Sequence, residues 1–151
     1  MNADVKLLRL TDIQKRFDSL LMSTKEGKNV LRATLRRTFI QTIKDARSNL
    51  DAGGHNKTGN LRRSLGTIVS IKPDTAYAAI GARTKGKNRG PHFHFVNSGT
   101  SIRTTKKGAN RGAGPETAFF DNAVRKNISS IPVTLQQAFE EEMEKFMRKK
   151  Y

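Results

Sequence analysis

The stretch Leu65-Gly66-Thr67-Ile68-Val69-Ser70-Ile71-Lys72-Pro73-Asp74-Thr75-Ala76-Tyr77-Ala78-Ala79-Ile80-Gly81-Ala82-Arg83 decides the fold class. Its first half is rich in β-branched residues and stops at Pro73-Asp74, a turn signal. Thr75 to Arg83 then returns as the partner strand of a β-hairpin. Upstream, Leu31, Leu35, Phe39, Ile43, Ala46 and Leu50 recur every three or four positions, with Arg37 and Lys44 on the opposite side. That period predicts one long amphipathic helix from about Glu26 to Leu50, ended by Gly53-Gly54. Thr11 and Gln14 have capping-box spacing ahead of Ile13, Phe17, Leu20 and Leu21, which predicts a shorter helix before it.

Downstream, His92 to Val96 alternates, with Phe93 and Phe95 on one side and His92 and His94 on the other, the pattern of a half-buried strand. After Pro115 the period is helical again through Phe119, Phe120, Ala123, Val124 and Ile128. Pro132 opens a last helix, about 132–150, carrying Leu135, Phe139, Met143, Phe146 and Met147. Glu140, Glu141, Glu142 and Glu144 read as its solvated face. Helices flanking a small sheet define an α+β fold: a long N-terminal helix and C-terminal helices packed on a small antiparallel sheet, with extended basic loops. Leu35, Phe39 and Ile43 are expected against a sheet containing Ile68, Val69 and Phe93 or Phe95. A chain of 151 residues suits one domain, 1–151.

Charge is distributed unevenly. Residues 1–50 carry 11 Lys and Arg against 5 Asp and Glu, residues 51–114 carry 12 against 2, and residues 115–151 carry 6 of each. A surface serving only solubility would mix the signs, so the net charge of +16 marks a partner of negative charge. The excess concentrates in two glycine-containing loops, about 83–91 and 101–114. They hold Arg83, Lys85, Lys87, Arg89, Arg103, Lys106, Lys107 and Arg111, which could neutralise phosphates or dock on an acidic protein. Neither loop carries aromatics for base stacking, which argues against sequence-specific reading of nucleic acid. Glycine and like charge predict loops that order on assembly, mainly against protein, with passing DNA contact.

Several classes of chemistry are poorly supplied. The absence of cysteine removes thiolate catalysis and Cys-ligated metals. His92 and His94 could offer two imidazoles to a metal and His55 a third. No Asp or Glu lies between Asp74 and Glu116 to complete such a site, however, so neither a metal nor a cofactor is expected. No nucleophile-elbow pattern and no phosphate-binding loop is present, so no enzymatic activity is expected. The longest apolar run, Ala76 to Ile80, falls far short of the ~18 residues of a membrane span, and no membrane partner is expected. The N-terminal residues read as neither a secretory signal nor a transit peptide.

Three segments in order carry a family resemblance: Thr58-Gly59-Asn60-Leu61-Arg62-Arg63-Ser64-Leu65 after the long helix, Phe95-Val96-Asn97-Ser98-Gly99-Thr100 after the hairpin, and Phe119-Phe120-Asp121-Asn122-Ala123 opening a helix. Over roughly Lys25 to Phe146 the chain resembles the minor structural family of tailed-bacteriophage neck and tail-completion proteins. The resemblance implies a non-enzymatic virion protein, made in the host cytoplasm, that forms a ring of about six or twelve copies joining head to tail. It implies head-completion or connector proteins on one side, tail-terminator or tail-tube proteins on the other, and DNA passing through the lumen. The other reading is a small basic protein that binds nucleic acid without sequence preference. The chain departs from the family pattern at Asn97, where an acid is common, and at Ala118, where a proline is common, which moves the expected helix start back to Pro115. On their own chemistry, Thr58 and Asn60 are candidate caps, Leu61 and Leu65 point inward, Gly59 and Gly99 suit left-handed or sharp backbone, and Phe119 and Phe120 anchor a helix on the sheet.

Overall fold

The computed structural model describes residues 24–54, 58–72 and 75–150. The helix expected after Thr11, His55 and the Pro73-Asp74 turn lie outside them. The described chain is α+β: α1 (Lys25–Thr38), α2 (Ile40–Ala52), α3 (Asn60–Ser64), β1 (Leu65–Lys72), β2 (Thr75–Ala82), α4 (Phe93–Ser98), α5 (Phe119–Asn127) and α6 (Ile131–Lys150). β1 and β2 form a two-stranded antiparallel sheet. None of the described helices is long and apolar enough to cross a membrane.

The long N-terminal helix is present as α1 and α2, interrupted at Phe39, whose φ of −99° and ψ of 2° leave the helical basin. Thr38 Oγ1 donates to the carbonyl of Thr34 at 2.9 Å inside a buried stretch, a back-bond of the kind that weakens a helix locally, directly before the break. The other end of α1 is capped by Thr24, whose hydroxyl accepts the Gly27 N–H at 3.1 Å.

The described residues divide into two compact units, the first drawn from 24–41, 67–72, 75–80 and 129–150, the second from 42–54, 58–66 and 81–128. In the first unit α1 runs against α6, and Leu31 and Leu35 meet Leu135 and Ala76 in a core flanked by Val69, Ile71, Ala78 and Phe139. Burying each leucine contributes about 1.5–3 kcal/mol, an upper bound because unfolded chains already hide some apolar area. Ile68 does not join Val69 in this core and is 57% exposed. Side chains alternate across a strand, so two consecutive residues cannot both face the same helix. The acidic run of α6 is also not wholly solvated, because Arg37 reaches from α1 to Glu141 at 2.5 Å and to Glu142 at 2.7 Å.

The second unit has an aromatic centre. Phe93 meets Phe119 and Phe120 edge to face at 5.7 and 5.1 Å between ring centroids. The expected strand over His92 to Val96 is therefore corrected to the start of α4. In a strand Phe93, Phe95 and Asn97 would share a face. Instead Phe93 and Asn97, one helical turn apart, are buried together while Phe95 is 62% exposed. The anchoring role expected of Phe119 and Phe120 is met on α4 and not on the sheet. Helix α5 begins at Phe119 rather than at Pro115, and its buried face ends with Asn127 where Ile128 was expected, Ile128 being exposed. Asn127 donates to Asp45 of α2 at 2.8 Å and Lys126 pairs with the same carboxylate at 3.2 Å, so a polar clasp holds the last turn.

Candidate functional site

The three motif segments all lie in the second unit: the first at the root of loop 83–91, the second at the root of loop 101–114, and the third bonded to the second. In α3, Gly59 caps the helix with φ +69°, and Leu61, Ser64 and Leu65 are buried. Thr58 and Asn60 hold the entry to α3: the Asn60 N–H reaches the Thr58 hydroxyl at 3.4 Å, and Arg63 donates to the Thr58 carbonyl and the Asn60 side chain. Loop 83–91 closes directly on this helix. The Arg83 N–H donates to the Ser64 carbonyl at 3.0 Å, and the Gly90 N–H returns to the Arg83 carbonyl at 2.8 Å. Gly90 is buried so close to Ser64 Oγ that any side chain there would collide with it.

Loop 101–114 is rooted on the second segment. Thr100 and Gly114 exchange two hydrogen bonds, Thr100 N–H to the Gly114 carbonyl at 2.9 Å and Gly114 N–H to Thr100 Oγ1 at 2.8 Å. Gly99, with φ +71°, lies so near this junction that a Cβ would stand 2.7 Å from the Gly114 carbonyl oxygen and 2.9 Å from the Glu116 nitrogen. Only glycine meets both demands.

Beyond its root the second loop is not a structureless coil. Arg111 N–H donates to the Arg103 carbonyl at 2.7 Å, Arg103 N–H to Gly112 at 3.1 Å, and Thr105 N–H to Ala109 at 2.9 Å, with a bridge between Thr104 and Asn110. Thr105 to Gly108 forms the tip turn, closed by Gly108 N–H on the Thr105 carbonyl at 2.9 Å, with Gly108 at φ +80°. This is a hairpin with a three-residue loop, Lys106-Lys107-Gly108, in which the glycine takes the left-handed position. Thr-Lys-Lys-Gly-Ala spacing was the available sequence signal, hidden because the flanking residues are too polar to read as strands.

The third segment is joined to the second by Asn97. Its side-chain oxygen accepts the Phe120 N–H at 3.0 Å, its amide donates to Asp121 at 3.0 Å, and its carbonyl accepts the Ala118 N–H at 2.8 Å. Thr117 Oγ1 adds a bond to the Val96 carbonyl at 2.6 Å. Asn97 thus caps a helix 22 positions downstream of its own place in the chain. Sequence reasoning missed it, since a cap is looked for beside its helix. Ala118 holds φ +46° and donates its N–H, and a proline could do neither. Phe119, Phe120 and Ala123 are all buried.

All eight loop cations are exposed, and none forms a salt bridge with an acid of the described residues. The second unit spans fifteen Lys and Arg and four Asp and Glu. Three of those acids are committed internally: Asp45 to Lys126 and Asn127, Asp51 to Arg62, and Asp121 to Asn97. The loops therefore project positive charge that nothing nearby on the described chain cancels. His92 is the residue before α4 and His94 lies within it, so the shared strand face expected for the two imidazoles does not exist. Among the described residues no three His, Asp or Glu side chains stand where they could hold a metal ion. No family model, curated protein or solved structure matches the chain.

Proposed function

We propose that the protein is a non-enzymatic virion component that assembles into a ring in the neck of a tailed phage, joining the DNA-filled head to the tail. One observation carries this reading. Of the three segments that resemble the neck and tail-completion family, the first two are the roots on which two exposed basic loops are mounted, and the third is bonded to the second through Asn97. A fold that uses its most constrained backbone to present loops, with no cluster of acids beside them among the described residues, suits assembly better than turnover. The partners on this reading are further copies of the chain, about six or twelve, with head-completion or connector proteins and tail-terminator or tail-tube proteins at either side.

The test is the mass of the purified protein under native conditions, alone and mixed with neighbouring virion components. A discrete multiple of 16.9 kDa supports a ring. A chain that stays monomeric in every mixture overturns it. The second reading, a small basic protein binding nucleic acid without sequence preference, is favoured by the exposed loop cations, none of which pairs with an acid among the described residues, and a monomer that binds DNA would support it.

A further inference from the structure

We infer that the 100–114 hairpin is a preformed arm that grips the phosphate backbone of duplex DNA, independently of sequence. The inference deepens the neck reading, on which DNA passes through the ring.

The argument starts with what the arm offers. Arg103 and Arg111 stand opposite each other in the backbone ladder, Lys106 and Lys107 occupy the tip turn, and all four are exposed. Thr104, Thr105 and Asn110 lie between them and Ser101 just before, with hydroxyl and amide groups of the kind that also bond phosphate oxygens. From Thr75 to Pro115 the chain has no Asp or Glu. Protein interfaces use both signs of charge to fix register and reject wrong partners, so an arm whose charges are all positive fits a partner of uniform negative charge. Duplex DNA is such a partner, and its major groove is wide enough for a two-stranded β-ribbon. With no aromatic residue on the arm, stacking on unpaired bases is not available, which favours duplex over single strands.

The root determines how well the arm works. Ordering a free loop costs conformational entropy at every residue, which binding would have to offset. Here the paired hydrogen bonds of Thr100 and Gly114, the close packing of Gly99 and the tip turn at Gly108 have already ordered it. Thr100 is thus a positioning residue and the four cations are the contacts.

The experiment measures binding of the full chain to a fluorescent duplex of about 30 base pairs between about 50 and 200 mM salt. Each phosphate neutralised adds about 0.9 to the slope of log affinity against log salt. Replacing Arg103, Lys106, Lys107 and Arg111 by Gln should therefore lower the slope by about 3–4, with the thermal unfolding transition unchanged. Thr100→Val should weaken binding several-fold at every salt while keeping the slope, and Thr100→Ser should restore it. A quadruple variant that binds with the wild-type slope overturns the proposal, and so does a Thr100→Val variant that binds like wild type. Polyglutamate that displaces the duplex at equal charge concentration also overturns it, pointing to an acidic protein instead. The native mass scores the ring separately, so loss of the arm and loss of the ring are distinguishable results.

Discussion

Asn97 and Phe120, 23 residues apart, are joined by a hydrogen bond of 3.0 Å from the Phe120 N–H to the Asn97 side chain, inside a site where Asn97 is 1% exposed. The same side chain donates to Asp121, so its amide satisfies an orphan N–H of the helix and a carboxylate together. Asn97→Ala leaves the buried Phe120 N–H without its acceptor and should cost about 1–3 kcal/mol in urea unfolding. Asn97→Asp should cost at least as much, because a second carboxylate would face Asp121 where a donor stood. A neutral outcome for both would show that α5 does not depend on this cap.

Ala118 sits at φ +46°, in the left-handed region that a Cβ disfavours by about 1–2 kcal/mol. Ala118→Gly should raise stability by about 1 kcal/mol. Ala118→Pro, which cannot adopt that φ and loses the N–H given to Asn97, should unfold the protein or lower its midpoint sharply. Thermal denaturation of the pair checks both signs.

Phe93 and Phe95 separate the two conformations considered for this segment. Phe93→Ala should cost about 3–5 kcal/mol, as removal of a buried ring against Phe119 and Phe120 does, whereas Phe95→Ala should stay within about 0.5 kcal/mol. Equal losses at both positions would restore the strand.

Glu142 gives a pH signature. Hydrogen bonds from Lys145 and then from Arg37 hold its carboxyl below the ordinary glutamate value of 4.5. A depressed folded-state pKa means that the contribution is present above the unfolded value and is lost as pH falls through the folded one. Stability of the wild type should thus decline below about pH 4.5 more steeply than that of Glu142→Gln. At neutral pH the substitution should cost no more than about 1 kcal/mol, because Arg37 and Lys145 are partly in water. Urea midpoints at pH 7 and pH 3 provide the comparison.

The parts of the fold legible in sequence are those where period and environment agree. Leu31, Leu35 and Leu135 sit at helical spacing and are buried, and the β-branched run Thr67 to Ile71 is a strand. The failures have separate physical causes. Phe93-His94-Phe95 alternates by chance, and the constraint that bends it into a helix is the need of Phe93 and Asn97 to face α5, residues more than twenty positions away. Thr38 stands directly before the break in the long helix with a hydroxyl whose back-bond no periodicity reports. The basic loops were visible as charge, but the order within the second one lies in Gly108 and Thr105, a turn without hydrophobic flanks. Gly59 and Gly99 were legible because a left-handed backbone leaves few other choices.

Leu31 and Leu35 belong to the first helix described and Leu135 to the last, yet they form one core. A ribosome must therefore make about a hundred further residues after Leu35 before that cluster can close, and closing so long a loop is slow relative to forming local helices. Chains released before residue 131 should remain open to protease at α1. Translation thereby sets an order of completion: a product truncated before residue 131 carries the basic hairpin but lacks the Leu135 side of the first unit's core, and should be the more readily digested.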